Sequence, residues 1–107
     1  MHQEHNKLVR DGIPEIIRQS GNRCEVAIMS EAELRQALRE KLLEEASESA
    51  AASLENLVSE LADVQEVIDA LLALHGIEWE AVVKEQRRKR TERGGFTKGI
   101  RLLWTDS

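Results

Sequence analysis

Apolar residues recur three and four positions apart along three stretches of this chain, and acidic residues intrude into two of those stripes. Leu34, Leu38 and Leu42 share one helical face, and Ser30 with Glu33 forms a capping box ahead of them, so a helix is predicted from Ser30 to about Ala52. A break near Ser53 starts a second long helix with Leu57, Leu61, Val64, Ile68 and Leu71 inside, closed by Gly76 after His75. A third, from about Glu78 to Arg93, sets Val82 and Val83 against a basic side and ends at Gly94-Gly95. Upstream, residues 1–12 read as an extended arm ending in a turn at Asp11-Gly12, and Pro14 opens a short helix that Gly21-Asn22 stops near Ser20. Cys24, Val26 and Ile28 alternate with their neighbours, as do Phe96, Lys98, Ile100, Leu102 and Trp104. This period of two predicts a pair of strands, Cys24–Met29 with Lys98–Trp104. The expected fold is therefore all-α, a helical bundle with a minor two-stranded antiparallel ribbon, in a single domain over 1–107 with a C-terminal strand or tail at 94–107.

The acidic residues are Glu44, Glu45 and Glu48, then Glu60 and Asp63. At about 100° per residue Glu45 projects within the arc of Leu38 and Leu42, and Glu48 lies beside Leu34. Glu60 falls inside the apolar arc of the next helix and Asp63 at its edge. A carboxylate on a core-facing position is costly without a partner, and like charges facing each other raise one another's pKa. A hard divalent cation, Mg²⁺ or Mn²⁺, relieves both costs because it takes oxygen donors and is held by a few carboxylates plus substrate phosphates. Glu45, Glu48, Glu60 and Asp63 are the candidate ligands. The competing reading is a solvated acidic face with helix pairs such as Lys41-Glu45.

Composition adds limits. The chain has 107 residues, 41% of them hydrophobic and 33% charged, which is ordinary for one globular domain. The long apolar set of the second helix (Leu57, Leu61, Val64, Val67, Ile68, Leu71, Leu72, Leu74) exceeds what one bundle seam uses, so a homo-oligomer, at least a dimer, is expected. Cys24 is the only cysteine, which rules out an intrachain disulfide and fits a reducing cytoplasm. No apolar run is long enough for a membrane span, and the N-terminus is too polar for a signal peptide. His2, His5 and His75 have no metal-ligand spacing, and Trp79 and Trp104 read as packing residues more readily than as base-stacking ones.

A net charge of −5 argues against general nucleic-acid binding, yet Lys84 to Arg101 holds eight basic residues against two acidic ones. Arg93 beside Gly94-Gly95 suits polyphosphate, since guanidinium groups bind phosphate bidentately and glycines let backbone N–H groups approach. Lys84 and Lys98 flank it, and Lys7 and Arg10 supply cations in the arm. The plainer account of the basic run is that cations belong near a helix C-terminus.

The run Glu44-Glu45-Ala46-Ser47-Glu48, followed after eleven residues by Glu60-Leu61-Ala62-Asp63, resembles the EExxE…ExxD signature of the all-α nucleotide pyrophosphohydrolases, the MazG-like and phosphoribosyl-ATP pyrophosphatase-like superfamily. The opening Asn6-Lys7-Leu8-Val9-Arg10-Asp11-Gly12-Ile13-Pro14 and the closing Arg93-Gly94-Gly95-Phe96 look like those of its small house-cleaning branch. The resemblance implies a Mg²⁺-dependent hydrolase (Mn²⁺ substituting) that cuts between the α and β phosphates of a nucleoside triphosphate, releasing a monophosphate and pyrophosphate and removing non-standard nucleotides. Glu45, Glu48, Glu60 and Asp63 match metal-binding positions, and Glu44 an acidic position that orients or deprotonates the attacking water. It also implies homodimers or homotetramers. Phosphoribosyl-ATP pyrophosphatase activity is one alternative; a non-catalytic helical interaction module or a basic-tail nucleic-acid binder are others.

Overall fold

A computed structural model describes residues 2–107; Met1, the first residue of the expected arm, lies outside them. Four helices follow in order: α1 (Ile13–Gln19), α2 (Glu31–Ala51), α3 (Leu54–His75) and α4 (Trp79–Arg93). The chain is all-α, and the described residues include no helix long and apolar enough to cross a membrane. It divides into two compact units, one ending at Gly76 and the other running from Ile77 to Ser107.

The first unit is organised by the α2/α3 hairpin. The Ser30 hydroxyl accepts from the Glu33 backbone N–H at 3.2 Å while the Ser30 N–H donates to Glu33 Oε1 at 2.9 Å, so the capping box starts α2 where the sequence predicts it. That contact pulls the Glu33 carboxyl below its ordinary pKa, because the Ser30 backbone and then its hydroxyl hydrogen-bond the ionised form. Two residues, Ala52 and Ser53, turn the chain into α3, and so short a link makes the helices antiparallel neighbours. Positions equidistant from the turn then lie at the same level: Leu38 with Val67, and Glu45 with Glu60. Leu38 and Val67 are the buried apolar side chains of the described residues, and Glu45 is the third buried side chain. Gly76 closes α3 at φ +65°, a left-handed conformation that costs glycine little.

Ahead of the hairpin, Pro14 sits in the first turn of α1. The Cys24 thiol lies 3.8 Å from the Pro14 carbonyl and is half-buried. The second unit is α4 followed by an irregular tail. Gly94, at φ +84°, ends α4 with its N–H on the Arg90 carbonyl at 2.8 Å.

The expected ribbon is absent. Neither Cys24–Met29 nor Lys98–Trp104 forms a strand, and the described residues contain no strand at all. Gly99 adopts φ +60° and its N–H closes a turn onto the Phe96 carbonyl at 3.0 Å, which breaks the pleat in the middle of the alternating run. Phe96, Ile100, Leu102 and Trp104 share parity but all are exposed, as are Val26 and Ile28. Alternation signals a strand only when one face has something to cover, and an isolated two-stranded ribbon is marginal in water.

Candidate metal centre

Glu45 and Glu60 reach the same level of the hairpin because each lies seven or eight residues from its turn. Asp63 follows Glu60 by three residues and joins it on one side of α3. One oxygen from each of Glu45, Glu60 and Asp63 can be chosen so that all three lie within 4.8 Å of one another. Glu45 is buried, while Glu60 and Asp63 are half-buried. Two carboxylates at that separation repel by about 3 kcal/mol at an effective dielectric constant near 20.

Their partners are incomplete. Glu45 Oε2 and Glu60 Oε2 are buried and accept no hydrogen bond from the protein, and neither does the buried Ser49 hydroxyl, one turn beyond Glu45. Glu48 completes the acidic set from an exposed position. Its pKa is raised, first by repulsion from Glu45, then by burial and by the other nearby carboxylates.

Three cations touch the rim. Lys41 Nζ lies 3.3 Å from Glu45 Oε1 and 3.8 Å from Glu44 Oε1. Lys7 Nζ donates to Glu44 Oε1 at 3.3 Å. Arg10 Nη2 donates to Asp63 Oδ1 at 2.7 Å, and its Nη1 stands 3.8 Å from Glu66 Oε1. Of the five carboxylates Glu44, Glu45, Glu48, Glu60 and Asp63, three are paired and two are not, so the three cations leave the cluster with an excess of negative charge.

A divalent cation fits this donor set. The donors are all hard oxygens, two of them buried and unsatisfied. Opposite oxygens around Mg²⁺ are about 4.2 Å apart at a bond length near 2.1 Å, within the span these side chains offer. The acidic trio can therefore chelate a divalent metal ion.

A family model described as phosphoribosyl-ATP pyrophosphohydrolase matches residues 15–90, the acidic centre included. The chain belongs to the phosphoribosyl-ATP pyrophosphohydrolase family. No curated protein and no solved structure matches it. Family membership and the chelating cluster together support hydrolysis of the nucleotide-pyrophosphatase type.

The remaining residues singled out by sequence lie in the second unit. Arg93 lines an open groove of about 850 Å³ along α4, together with Lys89, Arg90, Val82, Phe96 and the Gly94-Gly95 turn. Arg93, Lys84 and Lys98 make no ion pair among the described residues, whereas Arg88 is held by Glu85 at 2.6 Å and Glu92 at 2.8 Å. Sequence reasoning missed Ser49 and undervalued Lys41, which appeared only as a helix-pair partner. The signal was present in both cases: Ser49 is four residues after Glu45, and Lys41 is three and four before Glu44 and Glu45.

Proposed function

We propose that the protein hydrolyses the α–β phosphoanhydride bond of a nucleotide triphosphate group with Mg²⁺ as cofactor (Mn²⁺ substituting), releasing pyrophosphate. The observation that carries this reading is the pair of buried, unpartnered oxygens on Glu45 and Glu60 at one level of the hairpin. Glu45, Glu60 and Asp63, with Glu48 beside them, hold the cation. When bound, the ion neutralises phosphoryl charge and acidifies a water molecule. Glu44, kept on the rim by Lys7 and Lys41, would orient the attacking water and accept its proton as the oxygen meets the α phosphorus. The bond from that phosphorus to the bridging oxygen breaks, and pyrophosphate departs. Lys7, Arg10, Lys84, Arg93 and Lys98 are the groups proposed to compensate the charge of the phosphates.

Phosphoribosyl-ATP is the favoured substrate, since the matching family is described by that reaction. Free nucleoside triphosphates, non-standard ones included, are the second reading, carried by the likeness of both chain ends to the house-cleaning branch. A panel of phosphoribosyl-ATP, ATP and non-standard triphosphates with Mg²⁺, read for pyrophosphate against orthophosphate, decides between them. Pyrophosphate release abolished by EDTA supports the reading, and the preferred substrate names the branch. Orthophosphate release, or none from any member, rejects it.

We also propose that the protein works as a homodimer or homotetramer. Leu54, Val58 and Leu61 form an exposed apolar stripe on α3, beside a hairpin that buries only Leu38 and Val67 among its apolar side chains. A stripe of that kind at i, i+4 and i+7 suits a symmetric helix contact. Sedimentation showing only monomer at micromolar concentration would reject it.

A further inference from the structure

The N-terminal arm is tied across the hairpin by one cation on each side: Lys7 on Glu44 of α2, and Arg10 on Asp63 and Glu66 of α3. The arm has no regular secondary structure, and of residues 2–12 only Leu8 is even half-buried. Asn6, at φ +46°, turns the chain just before Lys7. These ion pairs are therefore the principal polar contacts holding the arm down. The two ties differ in kind. Glu44 lies outside the chelating trio, but Asp63 is a member of it. Arg10 thus occupies an oxygen of a carboxylate that a metal ion would also use. Lys41 neutralises Glu45 as well, yet it shares α2 with its partner, so its backbone is fixed beside the site. Arg10 sits on an exposed segment outside the helices.

We propose that Arg10 is a latch on the metal centre: in the metal-free protein its ion pair with Asp63 holds the arm in place, and a divalent cation bound by Glu45, Glu60 and Asp63 releases it toward the substrate's phosphates. The proposal rests on the metal reading above. A carboxylate that shares its lone pairs with a divalent ion is a weaker acceptor for a guanidinium, and the two cations repel each other. The released guanidinium, still beside the site, then meets the anionic phosphates that arrive with the metal. Coupling of this kind is reciprocal: if metal loosens the arm, loss of the latch tightens metal binding by the same factor. A different role for Arg10, fixing the orientation of Asp63 as a supporting hydrogen-bond donor, predicts the reverse sign, because removing such a donor weakens metal affinity.

Titration calorimetry of the full chain with Mg²⁺ alone, and with Mn²⁺ alone, separates these roles. Arg10→Gln is expected to bind the ion about fivefold more tightly than the parent, at the lower end of ordinary coupling. In the parent, the Arg10 guanidinium NMR signals, assigned through bonds from the Arg10 backbone, are expected to move toward those of free arginine as Mg²⁺ is added. Weaker or unchanged affinity in R10Q, or guanidinium signals indifferent to Mg²⁺, would overturn the latch. The spectrum of the parent tests the latch even if R10Q folds poorly. If instead Glu45→Gln and the parent bind Mg²⁺ equally, the metal centre itself fails and the latch with it.

Discussion

The two compact units handle charge in opposite ways. Up to Gly76 the chain carries fifteen carboxylates against seven lysines and arginines; from Ile77 onward it carries five against eight. In the first unit two long antiparallel helices hold eleven of the fifteen acidic groups, and Glu45, the only buried ionisable side chain among the described residues, is one of them. In the second no side chain is buried, and all eight cations lie on one helix and its irregular tail. Rigid elements place side chains more precisely than loops do, so the acidic unit suits a metal ion with demanding geometry. The basic unit suits charge compensation, where distance matters less than sign.

The largest expected effect tests the acidic half of that contrast. Glu45→Gln removes a buried charge and Glu60→Gln a half-buried one, each keeping the shape of the side chain. Pyrophosphatase activity should fall by at least about a thousandfold, or about 4 kcal/mol of transition-state stabilisation. Mg²⁺ affinity measured by calorimetry should collapse in parallel. The metal-free variants should melt no lower than the parent, because amides do not repel one another. A variant that loses activity by unfolding, or keeps Mg²⁺ affinity, would remove these residues from the centre.

Next come two apolar truncations, one in each unit. Leu38→Ala opens a cavity at a buried position of the hairpin and should cost about 2–5 kcal/mol of stability in chemical denaturation. Phe96→Ala removes a side chain that is 98% exposed and should change stability by less than about 0.5 kcal/mol in the single chain. A large loss in Phe96→Ala at concentrations where the protein self-associates would show that another copy covers the tail.

The same division explains what was legible in the sequence. Three helix ends were readable because each has a local chemical cause: the Ser30–Glu33 box, Pro14 in the first turn of α1, and the left-handed Gly76. Glu45 and Glu60 were readable because an acidic residue on an apolar arc is a contradiction that periodicity exposes. The ribbon was misread because period-two alternation records what a segment would bury, and Phe96, Ile100, Leu102 and Trp104 bury nothing here. Gly99 carried the warning, since its left-handed φ is incompatible with a continuous pleat. The ties from Lys7 to Glu44 and Arg10 to Asp63 were not legible as contacts, because they join residues 37 and 53 positions apart and no periodicity reaches that far.

The basic half is probed by Arg93→Ala. If Arg93 compensates the charge of the β and γ phosphates, catalytic efficiency should drop at least tenfold, about 1.4 kcal/mol, with Mg²⁺ affinity almost unchanged. That split between activity and metal binding is what distinguishes a phosphate contact from a metal ligand. Kinetics equal to those of the parent would return Arg93 to an ordinary place near a helix C-terminus.

The smallest expected effect concerns what aims the acidic unit. Ser30→Ala deletes the hydroxyl half of the capping box and should cost about 1 kcal/mol, read as a lower denaturation midpoint at unchanged slope. The box is also a titrating device. Ser30 holds the folded pKa of Glu33 below its ordinary value of 4.5, so the folded state favours the ionised carboxylate. The resulting stabilisation is present above the ordinary value and is lost as pH falls through the lowered, folded one. Glu33→Gln keeps an acceptor for the Ser30 N–H but cannot titrate, so its stability should depend less on pH than that of the parent below about pH 4.5. Denaturation midpoints with the same acid dependence in both proteins would show that the box does not contribute to the acid limb. Because Ser30 lies more than ten residues from Glu45, Mg²⁺ affinity at neutral pH should be unaffected by either change, and a shift in it would mean that the start of α2 helps to set the register of its carboxylates against α3.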